Sequence, residues 1–449
     1  MSDLLSLGLS GLSAYRSALS AVGENVANAE TPGFARRTVR LTAVSASGAS
    51  DPLYRDAIQF NGVSAAGVTR AWDMFRAAEA RHSAAGAGRG QVREQWLGTI
   101  ETALDDGQAG IGSRLTSFFN AGDALAAAPG DNLNRSRMLM ALDDIAGAFR
   151  NTGERLERIA TGIGAAAALD VEKLNQSLTA LANTNTSLLT APAGGTARAG
   201  LEDERDRLID SIAANVDVRA AIADNGTATL TLADPPGSVI IGGGDVGRFA
   251  FVAASDGRLT VQLTVAAGSA AFTPLTGRLA GYVSASATTA DRRAALDTLA
   301  ADFTADVNAW SAQGRDAAGN PGQPLLSATA GAVSMRGLLT DPAAVPAASA
   351  DGRLNGNLLA LAPLRGTAGA ERRWTAIVAG HAQQFAAAKS EHAAAQAWRE
   401  NSFAALDETT GVDLDREAAD LLRFQQAYSA AARIIQVGRE TFQDLLSAF

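Results

Sequence analysis

Apolar positions are most regular at the two ends of the chain. From Gly411 onward, Leu421, Phe424, Tyr428, Ala431, Ile435, Gly438, Phe442, Leu445 and Phe449 recur at alternating spacings of three and four. That pattern predicts an amphipathic helix with a seam on a seven-residue repeat. Asp413 or Asp415 can accept from the free N–H groups of its first turn. Glu417 adds negative charge where the helix dipole favours it. The first stretch has the same character, with Leu5, Gly8, Leu12, Tyr15, Leu19, Val22 and Val26 in step. Thr31-Pro32-Gly33 ends that helix, because proline removes a donor and biases the preceding residue away from helix. Two heptad helices at opposite ends predict that they pair. Burial along one seam falls short of the entropy of ordering so long a helix. The ends should therefore fray in a monomer and order when further copies cover them. Periodicity alone also fits an ordinary packed helix pair in a globular protein.

Between the ends the period changes several times. Residues 35–70 shift to short alternating runs, with a strand at Thr38–Thr42, a second at Ala57–Phe60 and an Asn61-Gly62 turn. A helix is predicted from Trp72, Phe75, Ala78 and Arg81-His82, loosened at Gly86, Gly88 and Gly90 and resuming to Leu104. Further helices follow at Ile111–Asn120, Arg135–Leu189 and Leu201–Ala213. In the last, Asp203 and Arg207 stand four apart, and its charges read as a solvated face. Residues 216–276 alternate with period two between turn signals, which predicts an antiparallel meander or small sandwich. Leu296, Leu299, Phe303, Val307 and Trp310 mark another helix. A Pro/Gly/Ala-rich stretch follows, then a helix over Arg372–Asn401 and a hinge at Asp407–Gly411.

The expected fold is α+β and multidomain. Residues 1–34 and 411–449 form a terminal coiled coil. Residues 35–213, 277–313 and 369–410 form a helical domain built from discontinuous segments. Residues 214–276 are an inserted antiparallel β domain, and 314–368 a small loop-rich excursion.

Composition narrows the function. The 449 residues are 47% hydrophobic, enough for real cores, and abundant alanine with 5% aromatics predicts close, thin helix contacts. A formal charge of −9 with no basic stripe argues against a nucleic-acid partner. No uncharged apolar run reaches the length of a membrane span, and the start lacks the features of a secretory signal peptide. There are no cysteines, hence no disulfides or thiolate chemistry.

Candidate chemistry is sparse. His82, His381 and His392 are scattered, and the last two lie three helical turns apart, too far to share a metal. Gly242-Gly243-Gly244-Asp245-Val246-Gly247 follows a strand, but a strand rather than a helix comes next, so it reads as a turn and not a phosphate loop. Asp316 with Gly319-Asn320 lacks the acidic ladder and closing glutamate of a calcium loop. Asp105/Asp106 and Asp143/Asp144 are sequence neighbours that point apart on a helix, unlike a glycosidase pair. No catalytic, metal or cofactor site is expected. An enzyme or sugar-binding protein that uses the β insert stays as the remote alternative.

The end motifs carry a resemblance. Asn25-Val26-Ala27-Asn28 with Thr31-Pro32-Gly33-Phe34 resembles the N-terminal signature of the flagellar rod, hook and hook-associated protein family. Gly411–Asp415, Glu417-Ala418-Ala419 and Leu421–Tyr428 resemble its hook–filament junction branch. So do Ile111–Asn120, Ala128–Asp131, Glu204-Arg205-Asp206 and Asp306–Ala309 with Gly314 and Asp316–Gly322. Two positions depart: Phe34 stands where tyrosine is frequent and Arg37 where glutamine is frequent. The resemblance implies a structural subunit that assembles through its terminal helices into a ring joining hook to filament. Implied partners are further copies, hook protein, the second junction protein or filament-type subunits, and an export chaperone at the C-terminal helix. It also implies an extracellular place in the flagellum, reached by the flagellar type III route without cleavage. Hook protein and the second junction protein are the nearest alternatives. Flagellin lacks the Thr-Pro-Gly turn.

Overall fold

The computed structural model describes residues 2–44, 62–233, 236–366 and 368–447. The expected strand at Ala57–Phe60, together with Asn61, Phe449 and the side chain of Leu445, lies outside the described residues. Helix α1 spans Ser2–Ala27 and ends before Thr31, with a turn carrying the chain through Gly33. Gly33 has φ +80°, a conformation open to glycine at no steric cost. Strands β1 (Arg37–Ala43) and β2 (Val63–Arg70) then form an antiparallel hairpin with a bulge between Val39 and Leu41. Gly67 of β2 lies against Gly194, where a Cβ would come within 2.9 Å of the Gly194 Cα. The Val68 N–H donates to Gly194 O there.

Helix α2 (Met74–Ala103) begins after Trp72 and is capped by Asp73, whose carboxylate accepts from the Phe75 and Arg76 N–H groups. Phe75 points to solvent, 76% exposed. The helix runs unbroken through Gly86, Gly88 and Gly90, against the sequence expectation. These glycines serve contact rather than flexibility: a Cβ on Gly88 would strike Ala214 O, and one on Gly90 would lie 2.9 Å from the His392 Cα. Helices pack on α2 from several sides, so alanines form its buried face. Helices α3 (Ile111–Ala127), α4 (Asn132–Thr190) and α5 (Thr196–Asn215) follow. At 59 residues α4 is about 90 Å long. It joins two cores, one around Phe118, Phe149, Phe303 and Trp374, the other around Leu174, Leu178, Ile209, Leu230 and Phe249.

The second core is roofed by two antiparallel meanders. Strands β3 (Val218–Ile222), β4 (Ala228–Leu232), β5 (Val239–Gly242) and β6 (Asp245–Val246) form one sheet in that order. Strands β7 (Arg248–Ala253), β8 (Leu259–Val265) and β9 (Gly268–Phe272) form the other. Gly243 and Gly244 turn the chain between β5 and β6, as the sequence predicts.

Helix α6 (Gly277–Gln313) leads into four two-residue strands: β10 (Gly314–Arg315), β11 (Leu326–Ser327), β12 (Arg336–Gly337) and β13 (Ala348–Ser349). A single helical turn, α7 (Gly356–Leu359), comes next. This stretch shares the first core: Leu325, Met335 and Val345 are buried with Trp374. Helix α8 (Ala370–Thr410) extends through the expected hinge, and the break comes at Gly411–Asp413, where Asp413 caps α9 (Leu414–Ser447).

Candidate assembly site at the paired terminal helices

Helices α1 and α9 lie antiparallel. Leu5 faces Gly438, Gly8 faces Ile435, and Gly11 faces Ala431. A Cβ on Gly8 would sit 2.5 Å from Ile435 Cγ1 and 3.3 Å from Ala431 O, so the backbones approach as closely as glycine permits. The innermost face of α1 is Gly8, Gly11, Ala14, Ala18 and Ala21 with Val22 and Asn25. The predicted seam residues Leu5, Leu12, Tyr15 and Leu19 sit half-buried beside it, and Val26 is exposed. On α9, Ala431 and Gly438 are buried and Leu421, Phe424 and Ile435 half-buried. Tyr428 is 38% and Phe442 50% exposed. On α9 the contact line runs through the predicted positions Ala431, Ile435 and Gly438, whereas on α1 it keeps Gly8 and Val22 but passes through Gly11, Ala14 and Ala18, about one residue from Leu12, Tyr15 and Leu19. Leu4, Leu9, Leu422, Ile434 and Val437 also face outward.

The motif residues build the elbow where this pair meets the body. Asn25 is fully buried. Its Oδ1 accepts from the Arg37 N–H at 2.9 Å, and its Nδ2 donates to Arg37 O at 2.8 Å and to Glu417 Oε2 at 3.0 Å. Glu417, also fully buried, accepts from Arg36 Nε at 2.6 Å, and Arg36 reaches Asp420. The Arg36 N–H donates to Thr410 O, at the end of α8. Asn28 Nδ2 donates to Glu24 O, and the Thr31 and Phe34 N–H groups close the turn on Asn28 O and Thr31 O. Arg37 covers the Phe34 ring at 4.8 Å. Pro32, Gly33 and Phe34 border a cleft of about 580 Å³ with Trp72 and Phe403 on its other walls.

From the elbow a chain of ion pairs runs inward. Arg37 bridges Glu24 and Asp203, Arg70 bridges Asp203 and Asp206, and Arg81 bridges Asp206 and Asp210. Arg205 also pairs with Asp206 and donates to Gly226 O. The Arg37 guanidinium is held above its usual pKa: burial opposes the charge, and the Asp203 and Glu24 carboxylates outweigh it. Arg70, Arg81 and Arg205 surround the Trp72 ring at 5.4, 5.6 and 5.8 Å. This corrects the solvated-face reading of Glu204-Arg205-Asp206, since Arg205 is 3% and Asp206 5% exposed. Arg207 pairs with Glu204, while Asp203 turns to Arg37 and Arg70. The sequence signal was Asp-rich α5 itself, but its partners lie more than 100 residues away.

The other candidate residues are structural. His82 contacts Asp217, His392 contacts Glu94, and buried His381 bonds through Nε2 to Leu97 O at 2.9 Å. Asp316 accepts from the Ala318 and Asn320 N–H groups and closes its own loop. Asp106 accepts from the Gly112 N–H, and Asp144 pairs with Arg114. Among the described residues, no group of three His, Cys, Asp or Glu side chains could hold a metal ion, and no helix is long and apolar enough to cross a membrane.

The sequence ends match two family models of flagellar axial proteins. Residues 5–34 match the flagella basal body rod protein, and residues 405–448 the C-terminal region of the basal body rod FlgEFG proteins. Just over half of the chain, residues 97–326, matches the helical domain of the flagellar hook-associated protein FlgK. The chain belongs to the flagellar hook-associated FlgK family. It is 28% identical over 337 residues to flagellar hook-associated protein 1 of Salmonella typhimurium, covering 73% of this chain and 60% of that protein. The Bacillus subtilis protein of the same name is 29% identical over 233 residues, covering 51% and 46%. The chain thus matches about 60% of the length of the Salmonella relative. The fold is similar to that of the flagellar hook junction protein FlgK from Burkholderia pseudomallei, with TM-score 0.50, 19% identity, and 56% and 46% of the two chains covered.

Proposed function

We propose that this chain is a structural subunit joining the flagellar hook to the filament, assembled into a ring through α1 and α9. The observation that carries the reading is the division of labour in the terminal pair. Small residues hold the two helices together, while Leu4, Leu9, Leu422, Val437 and Phe442 face outward. A row of apolar side chains of this kind is stabilised when neighbouring copies cover it. The names of the similar proteins agree with a place at the hook junction. Its partners are further copies, hook protein on one face, and the second junction protein or filament-type subunits on the other. A flagellar export chaperone docks on α9 before assembly. The protein leaves the cell by the flagellar type III route, acts outside it, and does no catalysis.

The test is swimming. Cells lacking the protein should build hooks without stable filaments, and the full chain should restore motility. Leu421→Asp or Phe424→Asp, which charge the α9 seam, should fail to restore it while the helical body melts normally. A Leu421→Asp strain that swims like its parent counts against assembly through these helices.

A further inference from the structure

The β insert offers a second contact between copies. Sheet edges expose unpaired N–H and C=O groups, and proteins guard them with charge, proline, bulges or cover. Two edges here are closed. β7 lies beside α4, where the Asn175 amide stands in for a strand: its Nδ2 donates to Phe249 O and its Oδ1 accepts from the Phe249 N–H, both at 2.9 Å. β6 is only two residues long. β3 and β9, the first and last strands of the insert, differ. β3 pairs with β4 alone and β9 with β8 alone. Among the described residues, no backbone hydrogen bond beyond those pairs reaches either strand. β9 reads Gly268-Ser269-Ala270-Ala271-Phe272, without charge or proline, and it is exposed up to Phe272. β3 carries one charge, Arg219. It runs along a groove of about 830 Å³ whose opposite wall is Trp72, Met74 and Ala78. Met74 and Ile222 are exposed in this groove, and Leu275 is exposed just past β9.

We propose that β9 of one copy adds as a strand to β3 of the next. An open edge specifies its occupant more narrowly than an apolar face does, because only another extended backbone satisfies its alternating donors and acceptors. The two edges are of equal length, five residues each. The small side chains of β9 suit a groove walled by Trp72, Met74 and Ala78, and Leu275 adds an apolar contact for Met74. Unlike edges make a heterologous contact that repeats around a ring or helix, whereas two like edges stop at a dimer. The inference rests on the junction reading, which needs a repeating contact.

The chain has no cysteine, so every cross-link can be placed. Ala220→Cys or Ala221→Cys on β3 is combined with Ala270→Cys or Ala271→Cys on β9 in the full chain, as the cell's sole copy. Flagella from swimming cells are then mildly oxidised. Strands paired across copies bring such cysteines within disulfide reach. At least one combination should yield a ladder beyond the dimer, and the single-cysteine parents none. Dimers from Ala270→Cys alone would mean like edges meet and would overturn the proposal. So would the absence of cross-links from every combination in cells that swim. Adding Ala270→Lys to the best pair should cut ladder yield by about fivefold or more, with an unchanged melting temperature. An unchanged yield also overturns it. Normal swimming of cells lacking the protein would remove the junction reading itself, and this inference with it.

Discussion

Four asparagines project from helices and bind an extended segment through both ends of the amide. Asn25 holds Arg37, Asn175 holds Phe249, Asn185 holds Ala228, and Asn308 holds Leu325 and Leu326. Each supplies a donor and an acceptor where a neighbouring strand would, so the strand ends are satisfied without a further strand. Asn25→Ala should cost about 1–3 kcal/mol for each buried group it orphans, read as a lower urea midpoint with faster amide exchange at Arg37. Asp206→Asn leaves three buried guanidiniums with one fewer anion and should cost about 3–5 kcal/mol. His381 is held below the usual histidine pKa by burial, with the Arg292 guanidinium adding to the effect against the Leu97 carbonyl. Its folded value is depressed, so its stabilisation is present above about pH 6.5 and is lost as pH falls toward that folded value. His381→Gln should therefore match the parent at neutral pH and lose less stability than it on acidification to about pH 5, measured by urea unfolding. None of these contacts was legible in sequence, because helix-borne asparagine carries no distinctive local signal and the extended segment it holds is up to 74 residues away. Asn25 stood out only as part of a motif.

At the scale of elements, the heptads of α1 and α9 were legible, and so was the contact line of α9 through Ala431, Ile435 and Gly438, but on α1 the closest face was legible only in part. Large apolar residues mark where bulk lies, while backbone approach is set by the small residues between them. Hence the seam read through Leu12 and Tyr15 is displaced to Gly11 and Ala14. The same reason hid the continuity of α2, whose glycines looked like breakers and are contact points. Gly8→Leu should force the pair apart by overpacking against Ile435 and Ala431, costing about 1–3 kcal/mol and lowering the helical circular dichroism of the ends. Val437→Asp and Phe442→Asp test the apolar side chains that α9 leaves exposed. Both sites are exposed, so stability should change by no more than about 0.5 kcal/mol while motility is lost.

At the scale of the whole molecule, the return of the chain to one helical body after the β insert was legible from the change of period. The way the stretch 314–368 joins that body was not. Its residues have no regular period, yet Leu325, Met335 and Val345 enter the same core as Trp374. The buried charge system at the elbow was also invisible, since it is assembled from α1, β1, β2, α2, α5 and α9.

Among the described residues the chain passes between the terminal rod and the rest of the molecule at the end of β2 near Arg70 and at the Gly411–Asp413 break, and these lie side by side at the elbow. What lies between them is held to that rod by more than the chain, through Asp203 and Asp206 of α5 on Arg37 and Arg70. A body of different size or surface spliced in at those two junctions would have to bring its own carboxylates to the places of Asp203 and Asp206, or the guanidiniums of Arg37 and Arg70 would be left as unmatched charges at the joint.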